Sequence, residues 1–165
     1  MDDDPDASGP TLDDNEPPPT SERSALMAKV RGKNTKPELV VRRALHALGL
    51  RFRLHRRDLP GRPDIVLPRH RLAIFVHGCF WHRHEGCRMA STPKTRRDFW
   101  EAKFEANVQR DRRNLETLQE LGWRPEIVWE CESRKADLPD RLQAIVENSS
   151  KRDQAAPSSS QEAAD

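Results

Sequence analysis

Apolar positions change their spacing several times along this chain, and the changes predict its elements. Thr35-Lys36-Pro37-Glu38 has capping-box spacing and opens an amphipathic helix that Gly49 closes. A shorter helix over Ser24 to Arg31 precedes it, joined by the loop Gly32-Lys33-Asn34. Short β-type runs follow at Phe52-Arg53-Leu54, Asp64-Ile65-Val66-Leu67 and Leu72-Ala73-Ile74-Phe75-Val76. The last is continuously apolar, as a central strand covered on both faces should be. Trp100, Phe104, Val108, Leu115 and Leu118 then recur at helical spacing up to Gly122, predicting one long helix. Ile127-Val128-Trp129 reads as another buried strand, and Leu138 to Val146 as a final helix. The order α-β-β-β-α-β-α predicts an α/β fold: a central mixed β-sheet flanked by helices.

The ends lack such patterning. Residues 1–20 combine acids with Pro5, Pro10 and Pro17-Pro18-Pro19 and offer almost nothing apolar to bury, and residues 148–165 are rich in Ser, Ala and Gln. Both are expected to be disordered tails around a single domain at 21–147. Residues 1–20 hold seven acids and no Lys or Arg, so the rest of the chain carries +9 where the whole carries +2. A body that basic suits a polyanionic partner, although an Arg-rich solvated surface would look the same. No stretch approaches the roughly 20 apolar residues of a spanning helix, and the N-terminus lacks the basic and apolar regions of a signal peptide. With three cysteines, an odd number that fits a disulfide framework poorly, the expected location is the reducing cytoplasm.

The densest chemistry lies in His77-Gly78-Cys79-Phe80-Trp81-His82-Arg83-His84-Glu85-Gly86-Cys87. Cys79, His84 and Cys87, with Cys131 beyond the last strand, make a Cys3His set that would close a tetrahedral zinc site. His82 could replace His84 as the nitrogen ligand, and Cys131 could equally be an ordinary buried thiol. Asp64 opens a strand after the turn-rich Pro60-Gly61-Arg62-Pro63, a position from which metal-dependent nucleases present a carboxylate to Mg²⁺. A turn or capping role explains it as well. His77 and His82 flank Cys79 and titrate in the range suited to proton transfer, or are simply solvated. Glu38 is accounted for by the capping box alone.

Phe80 and Trp81 lie outside any periodic apolar stripe and could wedge between base pairs, whereas Phe99 is expected to be buried. Arg96, Arg97, Lys103, Arg110, Arg112 and Arg113 are candidates for phosphate contact, or form a solvated helix face.

Several long segments, in order, resemble one family. Leu59-Pro60-Gly61-Arg62-Pro63-Asp64, His77 to His82, Asp98-Phe99-Trp100, Asn107-Val108 with Arg110-Asp111-Arg112-Arg113, and Leu121-Gly122-Trp123 with Val128-Trp129-Glu130-Cys131 are similar to the very short patch repair endonucleases. The resemblance spans Ser21 to Val146. It implies a restriction-endonuclease-like fold and a Mg²⁺-dependent enzyme, a monomer, that nicks double-stranded DNA 5′ of the thymine in a T:G mispair left by deamination of 5-methylcytosine. It further implies Asp64 as Mg²⁺ ligand, His82 as general base, His77 at the phosphate and Glu38 ordering water at the metal. Cys79, His84, Cys87 and Cys131 would hold structural Zn²⁺. Phe80, Trp81 and Trp100 would intercalate, with Met27 wedging from the other side. Val76 stands where some relatives carry a hydroxyl residue, so only its backbone carbonyl could reach the metal. A less selective endonuclease of the same fold, or a zinc-stabilised DNA-binding module without catalysis, are the competing expectations.

Overall fold

Helix α1 (Lys36–Ala47) starts where the capping box predicts. The Thr35 hydroxyl oxygen accepts from the Glu38 backbone N–H at 3.4 Å and donates to Glu38 Oε1 at 3.1 Å, while Glu38 Oε2 accepts from the Asn34 N–H at 3.0 Å. Those bonds occupy donors that no earlier helical carbonyl can reach. The helix ends where Gly49 takes a φ of +73°, a left-handed conformation that glycine adopts without penalty. This computed structural model describes residues 33–153. The expected helix at 24–31, Met27, and the acidic tail at 1–20 lie outside them.

Among the described residues four strands form one sheet in the order β1 (Arg53–Leu54), β2 (Ile65–Leu67), β3 (Leu72–His77), β4 (Arg124–Trp129). The first three are antiparallel neighbours, and β3 pairs with β4 in parallel. A parallel pair needs a long crossover, supplied by residues 78–96 and helix α2 (Arg97–Glu120). Helix α3 (Leu138–Asp153) follows β4 and a short 3₁₀ turn at Glu132–Arg134.

Because side chains alternate across a strand, the sheet buries two cores. On one face Ile65, Leu67, Leu72, Ile74 and Val128 pack with Val41 and Leu45 of α1 and with Leu138, Leu142, Ile145 and Val146 of α3. On the other, Val66, Ala73 and Phe75 pack with Leu59 and with Leu118 of α2. The continuous apolar run of β3 therefore reflects cover on both faces, as its pattern predicts. The mixed sheet flanked by helices is the α/β, restriction-endonuclease-like architecture expected.

Several details differ from the sequence reading. β4 is an edge strand of half-buried residues in which only Val128 is fully covered, because among the described residues no further strand lies beyond it. Val108 points outward at 40 % exposure, and the inner stripe of α2 runs through Asn107 and Asp111 instead. α3 continues past Val146 to Asp153, so residues 148–153 are helical where a tail was expected. Within that extension the buried Ser149 hydroxyl donates to the Val146 carbonyl at 2.6 Å and so does not remain unpaired. No helix among the described residues is long and apolar enough to cross a membrane.

Ile74 is fully buried in the central strand, so Ile74→Ala is expected to cost about 2–5 kcal/mol in urea unfolding. Val108→Ala, on the exposed side of α2, should change stability by no more than about 0.5 kcal/mol.

Candidate functional site

Asp64 sits directly before β2, its side chain turned to the end of β3, where Oδ2 accepts the Val76 N–H at 2.8 Å. Across from it, α1 brings in Glu38, only 2 % exposed, and β1 brings in His55. Glu38, His55 and Asp64 place one ligand-type atom each within 4.8 Å of one another. Arg42, one turn on from Glu38, donates to Glu38 Oε2 at 2.7 Å and to Asn34 Oδ1 at 2.7 Å. Glu38 thus caps its helix and also holds a buried acid in the site; the two readings of that residue are not exclusive. Burial pushes the Asp64 carboxyl up to about 6, and the negative charge of Glu38 adds to this against the Val76 hydrogen bond and Arg42. Burial, with Arg42 and Lys33, also lowers the His55 imidazole below its ordinary value against the pull of Glu38.

The other face of the site is built by β3 and α2. His77, the last residue of β3, stacks on His82 with ring centres 3.8 Å apart and planes 10° from parallel. His82 Nδ1 is hydrogen-bonded to Asp111 Oδ2 on α2. Burial, helped by His82, drives His77 down to about 3, so it is neutral at any physiological pH. Burial works to raise the Asp111 carboxyl, but the hydrogen bond and charge of His82 outweigh it and leave it lowered. Asp111 therefore stays ionised and holds the imidazole through its Nδ1. The sequence reading gave Asp111 no role. Its signal was there: it falls in the inner stripe of a helix, between Phe104 and Leu118, where a carboxylate is costly unless paired. His55, a single histidine after a two-residue strand, carried no such signal.

Cys79, His84, Cys87 and Cys131 form a separate cluster with one ligand atom each within 4.8 Å of one another. His84 Nδ1 lies 3.6 Å from Cys79 Sγ and 3.3 Å from Cys131 Sγ. The two histidines differ in position: His84 joins the cysteines, while His82 turns to Asp111. Burial pushes the Cys79 thiol up to about 12, with Cys131 and Cys87 contributing. The His84 ring lies flat on Trp129 at 4.2 Å, and the same indole meets His77 edge-on at 5.6 Å.

Phe80, Trp81 and Trp100 form a half-buried aromatic group over Phe104, with Phe80 5.1 Å from both Trp81 and Phe104 and 5.7 Å from Trp100. Asn107 ties this loop to α2 by donating to the Trp81 carbonyl at 3.2 Å. Phe99 is 45 % exposed rather than buried, because it lies in the first turn of α2 beyond the edge of the core. Of the basic candidates, Arg97 and Arg112 pair with Glu101 and Glu116 one turn along, and Arg96 and Lys103 lie over the Phe99 ring. Arg110 is 3.8 Å from Asp111, and Arg113 is exposed.

Comparison with known proteins points the same way. The sequence model of the family described as DNA mismatch endonuclease Vsr matches residues 18–88. The chain is 55 % identical over 128 residues to the type II nicking enzyme V.XorIIP of Xanthomonas oryzae pv. oryzae, which covers 77 % of this chain and 93 % of that one. It is 41 % identical over 128 residues to the type II nicking enzyme V.NmeAIP of Neisseria meningitidis, covering 77 % and 91 % respectively. To the DNA mismatch endonuclease Vsr of Escherichia coli it is 47 % identical over 112 residues, 68 % of this chain and 71 % of the other.

The raised Asp64 carboxyl has a consequence for folding. A group whose folded value lies above its unfolded value favours the fold below the unfolded value and loses that contribution as pH rises through the folded one. Without added divalent metal, Asp64 should therefore cost stability as pH rises from about 4 to about 6. Asp64→Asn keeps an oxygen for the Val76 N–H and is expected to stabilise the protein by roughly 1–3 kcal/mol at pH 8, with the gain vanishing below about pH 4. Urea unfolding of both proteins across that range measures it, and a pH-independent difference would contradict the assignment.

Proposed function

This chain belongs to the Vsr family of DNA mismatch endonucleases, and from that membership we propose that it nicks double-stranded DNA 5′ of the thymine in a T:G mispair left by 5-methylcytosine deamination, initiating very short patch repair. The observation that carries the reading is the meeting, at the ends of β2 and β3, of a buried acid pair with a histidine oriented by a carboxylate. Glu38 and Asp64 supply hard oxygen donors, and burial has left Asp64 reluctant to ionise without a cation beside it, so the donor set fits Mg²⁺. When bound, Mg²⁺ would neutralise the scissile phosphate and stabilise the attacking and leaving oxygens.

The protein's own residues account for the rest. His82, fixed by Asp111, accepts the proton of the attacking water as its oxygen bonds to phosphorus. His77, kept neutral and stacked beneath His82, offers a hydrogen bond to the phosphate as the P–O3′ bond breaks. Glu38, held by Arg42 and Thr35, would order water at the metal. Phe80, Trp81 and Trp100 present aromatic faces to the bases, a way of unstacking a mispair that is already weak, and Met27 would enter from the other side.

Cys79, His84, Cys87 and Cys131 fit a structural Zn²⁺. Their donors are thiolate and imidazole, and the set has the four members that a closed tetrahedral site needs. This reading carries with it a monomeric cytoplasmic enzyme. A second reading, a nicking enzyme indifferent to mispairs, draws on the relatives that are named as type II nicking enzymes.

Asp64→Ala is expected to reduce Mg²⁺-dependent nicking of a T:G duplex below detection while zinc content stays unchanged; retained cleavage would remove Asp64 from the chemistry. The wild-type protein should leave the matched T:A duplex of the same sequence intact, and equal cleavage would establish the second reading. Cys131→Ser should lose bound zinc and melt at lower temperature, measured by metal analysis and thermal denaturation. Full zinc content with unchanged melting would exclude it as a ligand.

A further inference from the structure

His55 lies inside the acid pair but outside every motif quoted above. It follows the two-residue β1, and its backbone N–H donates to the Asp64 carbonyl at 3.2 Å, which extends the β1–β2 pairing by one bond. Its φ is +47°, a left-handed value uncommon in residues other than glycine. The imidazole ends between the two carboxylates, with Nδ1 3.8 Å from Asp64 Oδ1 and Nε2 3.7 Å from Glu38 Oε2.

Neither separation is a hydrogen bond, which needs about 3.2 Å or less. Both are within reach of a shared cation. Two donors bound at about 2.1 Å to one metal can stand up to about 4.2 Å apart. We propose that His55 supplies an imidazole nitrogen to the divalent cation held at Asp64, so that the site, which its two carboxylates already suit to Mg²⁺, binds a first-row transition cation such as Mn²⁺ more tightly. The proposal rests on the reading of Asp64 as the cation-binding carboxylate and adds a nitrogen donor to it. Mg²⁺ demands oxygen ligands and keeps its waters, whereas affinity for a mixed nitrogen and oxygen set rises along the first transition row.

Arg42 sets the condition for this. Its Nη2 is 3.0 Å from His55 Nε2. Coordination through Nδ1 leaves the proton on Nε2, so that contact has to open, and Arg42 then retains Glu38 Oε2 and Asn34 Oδ1 as partners. The same residue that braces Glu38 thereby covers the outer nitrogen of His55 when the cation is absent.

The test uses the full-length, zinc-loaded protein and its His55→Gln and Asp64→Asn variants, each checked for full zinc content and a single cooperative melting transition. Mn²⁺ and Mg²⁺ affinities are measured by calorimetry, and the bound Mn²⁺ is examined by pulsed electron paramagnetic resonance. Wild-type protein should show nitrogen modulation on Mn²⁺ that His55→Gln abolishes. That variant should weaken Mn²⁺ binding at least about tenfold and Mg²⁺ binding by no more than about twofold. Nitrogen modulation that is missing in the wild type, or that persists in His55→Gln, overturns the proposal. So does an equal loss of both metals, which would make His55 a positioning residue for Asp64. Failure of the underlying reading looks different: Asp64→Asn would then keep its affinity for both cations.

Discussion

The parallel pairing of β3 with β4 is the contact on which the site depends. It sets His77 opposite Trp129, so the chain leaves the two strands side by side, one segment entering the loop that holds Cys79 to Cys87 and the other reaching Cys131. The Glu130 N–H donates to the His77 carbonyl at 2.8 Å and carries the pairing one step beyond the strands. Without that register, cysteines far apart in sequence could not converge on His84. Residues 78–96 contain no helix or strand, an unusual length for a loop in a small domain unless something else holds it. The thiol and imidazole cluster, the flat contact of His84 on Trp129 and the bond from Asn107 to the Trp81 carbonyl serve that purpose.

A second constraint is the burial of ionisable groups at the strand ends. Asp64, His77 and Asp111 are all drawn partly or wholly out of water, and each responds according to its neighbours. Asp64, beside another acid, is raised; Asp111, bonded to an imidazole, is lowered; His77 is left neutral. Environments that push like groups in opposite directions are what acid–base chemistry near neutral pH requires. The structure divides the histidine-rich run accordingly. His84 turns towards the thiols, His82 towards Asp111, and His77, at the end of β3, stacks on His82.

Most elements were legible because each has a local cause. The capping box announced α1, the unbroken apolar run announced the interior strand β3, and helical spacing announced α2. Where the reading slipped, a neighbour outside the local window decided. Val108 satisfies the period of α2 yet faces out, while Asp111 takes an inner position because His82 is there to pair with it. β4 looked like a fully buried strand, but its place at the sheet edge leaves it half covered. α3 runs on beyond Val146, with the buried Ser149 hydroxyl satisfied within its own helix.

Residue identity alone therefore determined which groups are available: three thiols, a histidine-rich loop, a carboxylate at a strand start, and aromatics outside any core stripe. It also determined the fold class, since periodicity and caps act over a few residues. Tertiary structure decided the partnerships. Whether Glu38 merely caps or also faces Asp64, which histidine joins the cysteines, and that Asp111 and His55 belong to the site at all, depend on strand order and helix packing. Those are set by burial of two apolar faces across the whole sheet, a cooperative effect that no short stretch of sequence contains.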